Sequence, residues 1–215
     1  MRTPTREMNW QRPASHGVGT YLSGMGVLLC LVAALLGMMS GPQPLKAQAV
    51  PLRGSLQISL ALRVLEFDRG RSTQDREGIV VGVVFQQGYR ASLLLEREVA
   101  AAIERLEEEG TPVRMISIPV DDTDLSAALL GDTSFDLIYV APLRAHSIDR
   151  ITDLSRSEDI ITMTGVEEYV ERGISVGITS RGARPEILVN LEAARHEGAD
   201  FSSELLKLTR IVEGL

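Results

Sequence analysis

The sequence predicts an α/β domain: one mostly parallel sheet flanked by helices, ending in a C-terminal antiparallel hairpin and amphipathic helices. Three observations predict it. Ile79-Val80-Val81-Gly82-Val83-Val84-Phe85 is a nearly continuous β-branched run, the pattern of a strand buried on both faces. From residue 79 to 164, strand-like and helix-like segments alternate, the rhythm of βαβ units. Beyond Thr164 the rhythm breaks, and two strand-like segments follow one another across Ser180-Arg181-Gly182-Ala183-Arg184, a spacing suited to an antiparallel hairpin at the sheet edge.

The first 49 residues read as a secretory signal peptide. Arg2, Arg6 and Arg12 form a basic leader that favours the cytoplasmic side of a membrane. No charged residue occurs from Tyr21 to Met39, and most positions there are apolar. Pro42, Pro44 and Lys46 end the run, and Ala47-Gln48-Ala49 supplies the small-x-small pattern of a cleavage site. Cleavage is expected after Ala49, releasing residues 50–215 on the far side of the membrane as a single α/β domain. The run is also long enough to anchor a chain in a bilayer, but Ser23, Gly24, Gly26 and Gly37 dilute its hydrophobicity. Lipid attachment is disfavoured: Cys30 follows Leu28-Leu29 rather than a small residue, and lies in the middle of the apolar run.

Cleavage changes the composition. Four of the 22 basic residues and one of the 29 acidic ones lie in the signal, so the remainder carries a formal charge of −10. Such a surface repels phosphates, which argues against DNA or RNA as a partner. Trp10 and Cys30 go with the signal, leaving a mature chain without tryptophan or cysteine. Its 166 residues are enough to bury one core without covalent staples.

Within the mature chain, residues 50–54 read as a loose lead-in. Leu56, Leu60, Val64 and Phe67 then recur at helical spacing and predict one buried stripe. Residues 68–78 are polar and read as a loop. After the first strand, Gln86-Gln87-Gly88-Tyr89 makes a turn into a long helix, with Leu95, Val99, Ala102, Ile103 and Leu106 inward. Gly110-Thr111-Pro112 stops it. Strands are predicted over 113–120, 135–141 and 159–164, with a short helix over 121–130 and another from Pro142 to about Ser155. The hairpin strands are placed at 174–179 and 186–189. Asn190 is positioned to cap the next helix and Gly198 to end it. Phe201, Leu205, Leu208, Val212 and Leu215 are spaced as the apolar face of one last helix.

Motifs of catalysis are sparse. Gly173-Ile174-Ser175-Val176-Gly177 matches the G-x-S-x-G pattern, but that motif needs a sharp strand-to-helix turn after the serine. Here Val176, Ile178 and Thr179 continue as strand. His196 with Glu186 or Glu192 would have to complete a triad, and nothing brings them together. Asp121, Asp122 and Asp124 cluster after the second strand, but calcium loops need more oxygen ligands and a glycine turn. Acidic residues at a helix start instead satisfy amide donors and the helix dipole. His146 and His196 stand alone without cysteine, which argues against zinc. Gly82 and Gly88 are too far apart for a dinucleotide loop. No enzyme, metal or cofactor is expected.

The final stretch has a more specific pattern. Ile187-Leu188-Val189-Asn190-Leu191-Glu192-Ala193-Ala194, then Gly198, then Phe201-Ser202-Ser203-Glu204-Leu205-Leu206-Lys207-Leu208 resembles the C-terminal signature of the YfiR/HmsC family. Its signature positions are Asn190, Ala193, Ala194, Gly198, Ser202, Ser203, Leu205, Leu206 and Leu208. Upstream, Ile161-Thr162-Met163-Thr164-Gly165-Val166 and Gly173-Ile174 are similar to the family's preceding segment, so that the likeness spans roughly residues 135–213. The resemblance implies a small, non-enzymatic periplasmic α/β protein that binds the periplasmic part of an inner-membrane diguanylate cyclase or sensor protein and so controls cyclic di-GMP signalling. It also implies a departure. Characterised relatives carry disulfide-forming cysteines linked to redox sensing, whereas a mature chain without cysteine has no thiol switch. Thr209 also replaces the family's usual alanine.

A different class of function follows from the sheet itself, because open α/β sheets bind small ligands at the carboxyl ends of their strands. The crevice residues would be Gln86, Gln87 and Tyr89 after the first strand, Pro142 and Arg144 after the third, and Thr164 and Gly165 after the fourth. The partners to be tested are therefore a membrane cyclase or sensor, a small ligand, and a second copy of the chain as a homodimer.

Overall fold

A computed structural model describes residues 52–70, 78–121, 124–129, 131, 133–144 and 148–214. The signal segment, the cleavage site after Ala49, Asp122 and His146 lie outside the described residues.

Helix α1 (Gly54–Leu65) opens this part of the chain. Its buried side is formed by Gln57, Ile58, Ala61, Leu62, Val64 and Leu65, so Val64 is the one buried member of the predicted stripe: Leu56 is 41% exposed, and Leu60 and Phe67 are only half-buried. The helix is apolar on more than one side, so spacing alone does not select the face that docks. Strand β1 (Ile79–Phe85) and helix α2 (Arg90–Glu108) fall where the sequence places them. Gly110 follows α2 at φ +87, the left-handed conformation that ends helices at glycine.

Strand β2 (Val113–Pro119), helix α3 (Leu125–Leu129), strand β3 (Leu137–Val140), helix α4 (Ile148–Ser157) and strand β4 (Ile161–Thr164) continue the alternation. Pro142 does not open α4; the helix begins at Ile148. A five-residue helix, α5 (Glu167–Glu171), precedes the hairpin β5 (Val176–Arg181) and β6 (Arg184–Val189). Its loop is shorter than predicted, only Gly182-Ala183, with Gly182 at φ +64, where type II′ turns take glycine.

Helix α6 (Leu191–His196) forms where the Asn190 cap places it, but the last helix, predicted over 201–215, is instead two pieces: α7 (Ser203–Leu208) and a two-residue strand β7 (Arg210–Ile211). Strand pairing with β6 overrides the helical spacing: Leu188 pairs with Arg210 and Val189 with Ile211. Leu208, expected inward, is 76% exposed. The hairpin is therefore not the outermost element of the sheet.

The strand order is β2-β1-β3-β4-β5-β6-β7. All neighbours are parallel except β5 and β6. Right-handed crossovers place the connection from β1 out to β2 and the connections running back past β1 on opposite faces. Accordingly α1 and α2 cover one face, over Val81, Val83, Leu137, Tyr139, Ile161 and Met163. Helices α3, α4 and α5 cover the other, over Val84, Ile138 and Val140. The order reverses between β1 and β3, and the gap beyond their carboxyl ends is the fold's ligand crevice by topology.

Ser202 caps α7, its Oγ accepting from the Leu205 amide at 3.4 Å, while its own amide donates to Phe67 O at 2.9 Å. Ser202→Ala keeps the backbone bond and loses the cap, an expected cost of about 1 kcal/mol in urea unfolding.

Candidate functional site

At the switch point, Gln86 follows directly on β1 and Arg144 lies four residues beyond β3. The Gln86 carboxamide oxygen accepts from the Arg144 amide at 2.8 Å, joining the two strand ends. The Arg144 guanidinium lies 4.3 Å from the centre of the Tyr89 ring, a cation–π distance. The Gln86 amide donates to Ser92 Oγ at 2.8 Å, and the Gln87 amide to Asp121 Oδ2 at 2.5 Å. The structure thus brings Gln86, Gln87, Tyr89 and Arg144 together, with Pro142 half-buried beside them in sequence.

Thr164 and Gly165 are elsewhere. Thr164 is fully buried and donates to Val140 O at 2.9 Å. Gly165 lies against the Gln57 side chain of α1, so closely that an added Cβ would stand 2.3 Å from Gln57 Oε1. That same oxygen accepts from the Tyr139 hydroxyl, and burial pushes the Tyr139 phenol well above its ordinary range. Helix α1 therefore closes the β3–β4 end of the crevice, leaving the β1–β3 end as the accessible part.

The G-x-S-x-G serine is not a nucleophile elbow. Ser175 is fully buried and points at Glu197. His196, by contrast, is exposed. Asp124 caps the start of α3, accepting from the Ser126 amide at 3.0 Å, and pairs with Arg150 at 3.3 Å. Among the described residues, no group of three His, Cys, Asp or Glu side chains is placed to hold a metal ion.

Glu197 is the residue that sequence reasoning missed. It is 1% exposed and receives Ser155 Oγ at 2.8 Å, the Thr162 amide at 2.8 Å, Thr162 Oγ1 at 2.7 Å, and the Ser175 hydroxyl. No cation faces it in these bonds. Burial holds its carboxyl above the usual range, although the four hydrogen bonds pull the other way. Two signals point to it: an acidic residue at a helix C-terminus opposes the dipole, and Thr162 and Ser175 are polar residues fully buried among apolar neighbours.

The signature positions have structural work. Asn190 Oδ1 accepts from the Ala193 amide at 3.0 Å, and Nδ2 donates to Val170 O at 3.0 Å. Ala193 and Ala194 are buried, as is Leu205, with Leu206 packed at the edge of the same core. Gly198 takes φ +75 after α6. Ser203 opens α7 on the surface.

The family model described as YfiR/HmsC-like matches residues 71–210. The chain belongs to the YfiR/HmsC-like family. The match reaches further toward the N-terminus than the resemblance read from the sequence, taking in β1, α2 and β2. This family is periplasmic, and its members are regulators rather than enzymes. Among the described residues, no helix is long and apolar enough to cross a membrane.

No curated protein matches the chain. Solved structures share the fold. The ABC domain in complex with L-Trp from Streptococcus pneumonia is 14% identical, with a TM-score of 0.55, over 74% of this chain and 62% of that one. CD0873, a substrate binding protein with adhesive properties from Clostridium difficile, is 13% identical, with a TM-score of 0.55, over 76% and 61%. A conserved domain protein from Vibrio cholerae is 14% identical, with a TM-score of 0.51, over 74% and 59%. This YfiR/HmsC-like chain thus spans about three fifths of the length of those proteins, and the likeness is one of fold.

Proposed function

We propose that this protein is an exported regulator that acts by contact: it binds the periplasmic part of an inner-membrane diguanylate cyclase or sensor protein and restrains cyclic di-GMP signalling. The family match over residues 71–210 carries this reading. A contact surface needs exposed apolar side chains, and Leu208 and Ile211, 76% and 45% exposed, stand at and just before the outermost strand. Deleting the gene is expected to raise cellular cyclic di-GMP, and a pull-down from envelope extracts to recover a membrane cyclase. Unchanged cyclic di-GMP together with no membrane partner defeats the reading. Leu208→Asp with Ile211→Asp should weaken the capture at least tenfold without unfolding the domain, since neither side chain is buried.

A small-ligand reading is favoured by one observation, the Gln86–Arg144–Tyr89 cluster at the switch point. Two of the structural neighbours are described as L-Trp-bound or as a substrate binding protein. A thermal-shift screen that finds a ligand whose effect is abolished by Tyr89→Ala supports this reading; a screen without stabilisation removes it.

A further inference from the structure

A second concavity lies away from the switch point. It encloses about 560 Å³ between α4, the α5–β5 turn and α6. Its chemistry is unbalanced. Arg156 stands half-buried in its wall, and its Nε–H is buried with no acceptor. The guanidinium rests against Gly173, close enough that a Cβ there would lie 2.7 Å from one terminal nitrogen; Gly173 takes φ +101. Arg172 is already engaged, bonded to Asp149 at 3.2 Å. Asp153, Glu171 and Glu192 also line the space, and none of the described cations pairs with them. The lining holds two arginines against four carboxylates.

The walls are held in place. Ser155, next to Arg156, and Glu197, next to His196, hydrogen-bond at 2.8 Å beneath the groove, so α4 and α6 are tied together before any ligand arrives. Such preorganisation lowers the cost of binding.

Arg156 lines the groove and no described carboxylate pairs with it, and the planar fork of a guanidinium matches a carboxylate. The surrounding carboxylates repel a simple anion. The lining therefore suits a ligand that brings a carboxylate together with more than one positive group. No aromatic or large aliphatic side chain lines the groove among its described residues, so an apolar ligand has nothing to bury against.

We infer that this groove is a binding site for a small amphoteric ligand of the dibasic α-amino acid class. Its carboxylate sits on Arg156, and its ammonium or guanidinium groups face Asp153, Glu171 and Glu192. The site is separate from the switch-point crevice and stands whether or not the protein restrains a cyclase.

Titration calorimetry of the mature protein with L-lysine and L-arginine tests it. Saturable binding is expected for at least one of them, weakened tenfold or more for the methyl ester of the same amino acid, which lacks the carboxylate, and for glutarate, which lacks the amines. Arg156→Gln should lose tenfold or more. Asp153→Asn, at an exposed position where folding is not at stake, should lose several-fold, while Tyr89→Ala at the other crevice should change nothing. No saturable binding of either amino acid at millimolar concentration overturns the inference. Binding indifferent to both Arg156→Gln and Asp153→Asn does so as well.

Discussion

Glu197→Ala is expected to cost about 3 kcal/mol of stability, because it removes the acceptor for one buried amide and three hydroxyls. The three hydroxyls are not equally stranded. Ser155 Oγ also reaches Thr152 O at 3.0 Å and can turn to it. The Thr162 amide has no such freedom, since its hydrogen bond is to Glu197 Oε2. Most of the loss therefore comes from that amide and from the cavity left between α4, β4 and β5. Chemical denaturation with a linear fit reads the change as a lower midpoint at unchanged slope.

The same residue gives a pH dependence of definite sign. Burial raises the folded carboxyl above its unfolded value, so the folded state binds the proton more tightly. The contribution is then fully present below the unfolded pKa and is lost as pH rises through the folded one. Glu197→Gln mimics the protonated acid: its carbonyl accepts the Thr162 amide, and its amide donates to hydroxyls that rotate to accept. Its stability should be close to that of the parent in acid and should not fall as pH rises through the Glu197 titration. A parent protein whose stability climbs with pH relative to Glu197→Gln would show that the carboxylate, not the acid, is the preferred form.

How much of this was legible in the sequence depends on whether the governing force is local. β1 was readable because a strand buried on both faces must be apolar at every position. Asn190 and Gly198 were readable because caps have fixed residue preferences. The phase of α1 was not, since its apolar residues lie on several sides and the sheet decides which side docks. The C-terminal helix was over-extended for a related reason. Residues 201–215 have helical spacing, yet Arg210 is held by Glu167 at 2.6 Å and Glu186 at 3.4 Å, and its backbone joins β6. These are contacts 43 and 24 residues away in sequence, which no window of spacing detects. Of the candidate crevice, the turn after β1 and the end of β3 were predictable from topology. Gln57 closing over Gly165 was not, because it comes from a helix before the first strand.

Asn190→Ala is the second large effect, about 2 kcal/mol, and it shows why the family signature is structural. The side chain is 2% exposed and does two jobs at once. Its oxygen caps α6 through the Ala193 amide, and its nitrogen holds Val170 O of α5. The two can be separated. Asn190→Ser keeps a cap but cannot reach Val170, and should recover roughly half of the loss. Asn190→Asp keeps the capping oxygen and places a second, charged oxygen against the Val170 carbonyl in a buried site. Two acceptors then face each other without a proton between them. The aspartate should therefore be at least as damaging as alanine at neutral pH, although it is the better cap on an exposed helix. If aspartate instead matched the parent in thermal unfolding, the bond to Val170 would be dispensable, and capping alone would account for asparagine at this position.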